Sequence, residues 1–598
     1  MATRHVKGVT PVEIGDEQNL TTRLWERVRT SSTKEVVRFH TGGTWRGMTW
    51  SQLGERVSSV AGGLIALGIE PGDRVALMAS TTVDWTVADL AILSAGAVTV
   101  PIYDTSSVEQ CAWILSDSQA KLAIAGSADN AKNLDAARER AAGLGEIFVL
   151  ADAGLDAIAE RGSAADVEQV ADRAAGVGVH DMATLIYTSG TTGNPKGCEL
   201  THGNMLNAAR QGEVSLRKLL EGDDDATLLF LPLAHVFARM VQFLCIEADV
   251  QLMYSRGIDH LQEDLASTSP TFLLSVPRVF EKVFNGAQRK AEGPKAKVFD
   301  FAVRTAADWS EAVDAGDKPG FATALKHKVA DKLVYSKLRD GLGGRVRYCV
   351  SGGAPLAPHL AHFFHAAGIT ILEGYGLTET SAPATVNTPD AMKIGTVGQP
   401  VPGVEIRIAD DGEILIRGGN VFRGYYNNPE ATAEAIEDDG WFHSGDIGEI
   451  DGKGFVKITG RKKEIIVTAG GKNVAPAVLE ERLKSNRLVS QAMVVGDNRP
   501  FIGALVTLEP DELAAFAKEH ELTGDIAELS KSPKVQTEIA RAVEHANDAV
   551  SKAESIRKVV VLERDFTEEN DEMTPTLKLR RRNVSENFAA EIEGLYTK

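Results

Sequence analysis

Between Tyr187 and Gly197 the chain reads YTSGTTGNPKG, which places four hydroxyls (Thr188, Ser189, Thr191, Thr192), three glycines (Gly190, Gly193, Gly197) and Lys196 directly after the apolar Ala183, Leu185 and Ile186. Glycines let backbone N–H groups approach an anion, hydroxyls add donors, and lysine adds a compact positive charge. The ligand this chemistry suits is a polyphosphate. A Walker-type loop needs Ser or Thr after its lysine to hold magnesium. Gly197 stands there instead, which disfavours that alternative.

Other stretches carry chemistry of their own. In EGYGLTET, Glu373 to Thr380, Tyr375 between Gly374 and Gly376 can stack on a purine, Thr378 can reach a phosphate, and Glu379 can reach magnesium, an ion that prefers oxygen ligands. Ser351, Gly352, Gly353, Ala354 and Pro355 form a strand-to-loop transition. Asp446, in WFHSGDI, is an acceptor-only carboxylate that in isolation reads as a turn residue. His235, in LPLAHVFAR, in isolation reads as a satisfied core histidine. Arg461 to Lys463 reads as a solvated charge run, Thr468 to Asn473 (TAGGKN) is a second glycine-rich loop, and Lys578 lies in the basic TPTLKLRRR near the end. Cys198 adjoins the first loop with no base beside it and reads as a packing residue.

The elements that must position these residues follow from periodicity. Leu53, Val57, Val60, Leu64 and Ile65 recur at helical spacing after Trp50, and Arg74 to Met78 has a buried-strand pattern. Strand-like runs at Thr227 to Leu231, Val250 to Tyr254, Phe272 to Val276 and Val346 to Val350 alternate with helix-length segments, which predicts mainly parallel α/β sheets with sites in their loops. Asp156 to Val179 reads as a surface connection and Glu292 to Asp331 as exposed helices. After Gly395 the alternation around Asp411-Gly412 predicts a hairpin, with a second turn at Asp451-Gly452. A boundary near Gly460 separates a large first domain from another α/β mixture.

At 598 residues and 43% hydrophobic content the chain exceeds a single core. Its formal charge of −19 argues against nucleic acid or an anionic membrane as the main partner, while local basic patches stay open. Cys111, Cys198, Cys245 and Cys349 are scattered, a reducing-compartment pattern. The ends carry no signal-peptide or retention pattern, and the apolar run Leu90 to Tyr103 is shorter than the ~18 residues of a spanning helix. The expectation is a cytoplasmic protein without a transmembrane segment, with peripheral membrane contact left open.

The motifs, taken in order along nearly the whole chain, resemble those of the adenylate-forming enzymes, and YTSGTTGNPKG with ELTHGN, LPLAH and TLK is most similar to the actinobacterial long-chain fatty-acid CoA ligases. The resemblance implies a large N-terminal domain of stacked α/β sheets plus a β-subdomain (1–460), a hinge at 461–463 containing Lys463, and a small mobile α+β C-terminal domain (464–598). It implies activation of a long-chain fatty acid by ATP to acyl-adenylate, then transfer to CoA, with Mg²⁺ on Glu379. Gly352, Gly353, Ala354, Tyr375 and Gly376 would surround adenine, Thr378 the α-phosphate, and Asp446 with Arg461 the ribose. His235 would border the acyl site. Lys196 and Lys578 would be catalytic, and Gly470 and Gly471 would serve the CoA step. Some relatives carry a tryptophan gate where Arg239 stands, and that role does not transfer. Two alternatives stay open: an acyl-AMP ligase that hands the adenylate to a carrier protein, and an inactive nucleotide-binding sensor.

Overall fold

The computed structural model describes residues 4–141, 143–188, 194–291, 293–470, 472–574 and 578–597. The helix Trp50–Ala66 begins where Thr49 and Gln52 form a reciprocal capping box, and it buries Leu53, Val57, Val60 and Leu64. Each such burial contributes about 1.5–3 kcal/mol. The strand Arg74–Met78 follows as the apolar run predicts. The uncharged run from Leu90 divides between the helix Val83–Ser94 and the strand Val98–Ile102.

Among the described residues the main body holds a seven-stranded and a nine-stranded sheet, each parallel at its centre, with antiparallel pairing at one edge of the smaller sheet and at both edges of the larger. In the larger sheet Phe272–Ser275, Tyr348–Ser351 and Thr370–Leu377 are parallel neighbours, with Ser275 beside Ser351 and Ser351 beside Glu373. Their carboxyl ends therefore open side by side, where parallel sheets place ligand sites. A third sheet of five strands contains the expected hairpin, Glu405–Ile408 with Glu413–Arg417, and continues through Phe442–Ile450 to Val456–Arg461. Its other edge strand is His5–Lys7, which had no sequence signal.

Two readings need correction. The stretch from Asp156 to Val179 is mostly helical (Gly154–Ala159 and Ala164–Ala175), and it buries Val170 and Ala174 against the body. The helix Pro294–Asp314 is not simply exposed, because Phe299, Ala302 and Ala306 sit in the core while its other face meets solvent. Small residues hid that inner face from a reading by charge. Beyond Arg461 the chain builds a separate small α+β unit. Val489–Val495 pairs antiparallel with Ile502–Leu508, which pairs parallel with Ile556–Val561, over a core of its own that includes Leu479, Leu483, Val506, Val535 and Ile539.

Candidate active site

The segments on either side of the glycine-rich stretch are antiparallel strands. Met182–Thr188 pairs with Lys196–Thr201, so that Thr188 lies opposite Lys196. The alternation of buried Cys198 and Leu200 makes the segment after the lysine a strand, and the next helix starts only at His202. Ser189, Gly190, Thr191, Thr192 and Gly193 lie outside the described residues, as does Gly471. Cys198 is fully buried and burial raises its thiol pKa, in keeping with a packing role.

The second motif is also more regular than a loop. Thr370–Leu377 runs through Gly374, Tyr375 and Gly376 as one strand, paired with Ala382–Val386 and bulged between Tyr375 and Gly376. A Cβ on Gly376 would stand 1.5 Å from the Ala382 carbonyl oxygen, so only glycine fits. Gly353 has φ +84 and is exposed with Ala354, while Gly352 is buried near Phe237. Buried Thr378 and partly exposed Glu379 follow in a single turn.

These pieces converge. Tyr375 Oη donates to Asp446 Oδ2 at 2.6 Å, and Arg461 Nε donates to Asp446 Oδ1 at 2.8 Å from the directly opposite position of the neighbouring strand. Lys578, whose carbonyl accepts the Thr574 N–H at 2.8 Å, faces Arg461, Asp446 and Glu379. Protein atoms crowd its ammonium, although the residue as a whole is exposed. That desolvation, with Arg461, lowers its pKa, while Asp446 and Glu379 act to raise it. His235 caps the helix Val236–Ala248, accepting the Phe237 N–H at Nδ1 (3.2 Å). Burial and the nearby Lys578 push its imidazole down to about 3.

Residues 24–426 match the family model described as AMP-binding enzyme, and residues 463–598 match the AMP-binding enzyme C-terminal domain. The chain belongs to the AMP-binding enzyme family. It is 46% identical over 601 residues, the full length of both chains, to the long-chain-fatty-acid–CoA ligase FadD15 of Mycobacterium bovis. The fold matches that of ATP-bound MatB from Rhodopseudomonas palustris, with a TM-score of 0.72 at 23% identity over 96% of this chain and 99% of that one. It also matches a Mycobacterium tuberculosis fatty acyl CoA synthetase, with a TM-score of 0.63 at 24% identity over 96% and 99%.

In this AMP-binding enzyme one contributor to the cleft had no sequence signal. Tyr425 pairs with Cys198 across the sheet edge, its hydroxyl donates to Glu379 Oε1 at 2.9 Å, and Lys196 Nζ lies 4.7 Å from its ring centre. It thus links the lysine of the first motif to the carboxylate of the second. The only hint was an aromatic pair after Gly424, too common to single out. Arg239 is no gate. It is fully buried, with Nη2 2.5 Å from Asp89 Oδ1 and Nε 3.0 Å from Asp89 Oδ2, and Gln242 also donates to that carboxylate. Gly470 and Lys463 are exposed, and neither adjoins Lys578 in sequence or hydrogen bonding among the described residues.

Proposed function

We propose that this chain is an ATP-dependent long-chain fatty-acid CoA ligase, and that the convergence of Lys578 with Tyr375, Asp446, Arg461, Glu379 and His235 is its adenylation site. That convergence is the observation supporting the reading, because it gathers residues of unlike chemistry from distant parts of the chain into one cleft. Tyr375 offers a ring to adenine beside Gly352, Gly353, Ala354 and Gly376, with Asp446 and Arg461 toward the ribose and Thr378 toward the α-phosphate. Thr188, Lys196 and the Ser189 to Gly193 loop take the outer phosphates. We take the domains as 1–460 and 464–598, joined at 461–463.

The fatty acid's carboxylate oxygen forms a bond to the α-phosphorus as the bond to the β-phosphate oxygen breaks, and pyrophosphate leaves. The CoA sulfur then bonds to the acyl carbon and AMP departs. Lys578 contributes charge where the two anions meet. A crowded ammonium has lost hydration, so an arriving carboxylate and phosphate recover what burial cost, which is preorganised electrostatic catalysis without a protein nucleophile. His235, neutral, can donate through Nε2 to an acyl oxygen.

Among the described residues no group of three or more His, Cys, Asp and Glu could hold a metal by itself. Glu379 and Thr378 offer hard oxygen donors at the cleft and fit Mg²⁺ arriving with nucleotide phosphates, since that ion uses few protein ligands. When bound it supplies charge neutralisation on the phosphates. ATP and CoA as co-substrates, with four buried free cysteines, support a cytoplasmic setting.

The test is acyl-CoA formation and pyrophosphate release with acids from acetate to palmitate. Each added methylene gains about 0.8 kcal/mol on burial, so KM should fall steadily with length until the acyl site is full. A preference for acetate or an aromatic acid, or acyl-AMP accumulating without acyl-CoA, overturns the reading.

A further inference from the structure

The helix Phe321–Ala330 carries an apolar row on its outer side that no other part of the described molecule covers. Phe321 is 86% exposed, Leu325 56%, Val329 45% and Leu333 43%. They recur at intervals of four, which aligns them along one side of a helix. The helix continues through a π-helical segment, Asp331–Tyr335, into Ser336–Gly341. Its inner side is firmly seated. Ala330 and Tyr335 are fully buried, and Tyr335 Oη donates to the Ala302 carbonyl at 2.7 Å. The His327 ring stacks on Trp309 with centroids 4.5 Å apart, and its Nε2 lies 2.7 Å from the Ala366 carbonyl oxygen. A seated helix with an outward apolar row differs from the single exposed apolar residues that any surface carries.

Charge identifies what this row meets. Lys318, Lys326, Lys328, Lys332 and Lys337 are all exposed around it. From Lys318 to Gly341 five lysines and one arginine stand against two aspartates, in a chain whose formal net charge is −19. One of those aspartates, Asp331, is paired with Arg339 at 2.8 Å. Two copies of the chain meeting through this face would bring their lysines together. An anionic bilayer instead attracts the lysines, accepts the apolar row at its headgroup boundary and repels the acidic remainder of the protein, which fixes orientation.

We propose that the face Phe321–Leu333, with its lysines, docks the enzyme peripherally on an anionic lipid bilayer. No helix among the described residues is long and apolar enough to cross a membrane, so the contact is interfacial. It would bring the enzyme to where long-chain acids partition. That last step rests on the proposed substrate, whereas the docking itself does not, and the test separates them.

The full chain is sedimented with vesicles of phosphatidylcholine containing about one-third phosphatidylglycerol, and with phosphatidylcholine alone. Binding is expected to need the anionic lipid and to fall severalfold on raising salt from about 0.1 to 0.5 M. Phe321→Asp with Leu325→Asp should lower the partition coefficient by about tenfold or more, and Lys326→Gln with Lys328→Gln and Lys332→Gln should lower it only on anionic vesicles. Both variants should keep the wild-type circular dichroism and the wild-type rate with a soluble short-chain acid. Absence of anionic-lipid binding by the wild type, or undiminished binding by the double aspartate variant, overturns the proposal. So does a wild-type dimer that Phe321→Asp dissociates, because a second copy would then be what covers the row.

Discussion

His235 is held as a neutral hydrogen-bond donor. The Phe237 N–H occupies Nδ1, so the proton of the neutral ring sits on Nε2, and with its pKa pushed down to about 3 the ring stays neutral across any ordinary assay range. His235→Ala should raise the KM for fatty acid by about tenfold while leaving the shape of the pH–rate profile unchanged. Loss of a limb near pH 6.5 in the variant would show proton transfer instead. The same depression has a stability sign. Stability is present above the ordinary histidine pKa and is lost as pH falls through the folded value, and His202, also pushed down to about 3 by burial, adds to this acid lability. Tyr425→Phe keeps the ring beside Lys196 but removes the hydroxyl from Glu379. The expected result is about tenfold slower pyrophosphate release, partly restored at high Mg²⁺. An unchanged rate at limiting Mg²⁺ would mean that the hydroxyl does not orient the carboxylate. Lys196, Tyr375 and Glu379 could be picked out in the sequence because their types announce a chemistry, whereas Asp446, in isolation a turn residue, was reached only through the resemblance. Tyr425 was silent because its role arises from pairing with Cys198, a neighbour created only by the sheet.

At the scale of elements, periodicity found the helix from Trp50 and the strand Arg74–Met78 because each buries one continuous apolar pattern. At the two motifs it stopped short of the strands' full extent for one shared reason. Glycines and hydroxyls mask strand alternation, so the strand from Lys196 and the strand through Tyr375 looked like irregular chain. It was equally blind to Asp89 and Arg239, ordinary charges in sequence that fold into a pair with both side chains fully buried between the helices Val83–Ser94 and Val236–Ala248. Because Val236–Ala248 begins at His235, this pair fixes the element that aims the imidazole. Asp89→Ala should cost about 3–5 kcal/mol by leaving a buried guanidinium unpaired, whereas replacing both residues with apolar side chains of similar volume should be close to neutral. Urea unfolding of both variants measures this. Equal destabilisation by the two would show that the loss comes from packing and not from the stranded charge.

At the scale of the molecule, the small C-terminal unit presents unlike faces. Lys578 points into the cleft, while the hairpin bearing Gly470 bonds to its own unit, through Ala469 N–H to the Arg499 carbonyl at 2.9 Å and Lys472 to Glu554 at 3.3 Å. The unit is tied to the main body by pairs at the helix Pro277–Arg289: Arg278 with Glu509, and Arg289 with Asp511 at 3.0 Å and Glu512 at 3.2 Å. Partly exposed pairs of this kind are worth about 0.2–1 kcal/mol each, which suits a contact that must be released. The expectation is that this arrangement serves adenylation, and that rotation about Lys463 brings the Gly470–Gly471 loop to the same adenylate for the CoA step. Arg278→Ala with Arg289→Ala would remove about 1–2 kcal/mol from this arrangement, a five- to thirtyfold change in its population. Adenylation should slow, while conversion of supplied acyl-AMP to acyl-CoA is maintained or quickened. Lys578→Ala should abolish adenylation and spare the second step, Gly471→Leu should do the reverse, and Lys463→Pro should impair the full cycle more than adenylation. Measuring both half-reactions on each folded variant decides it, since equal losses in Lys578→Ala and Gly471→Leu would mean one fixed site and no rotation.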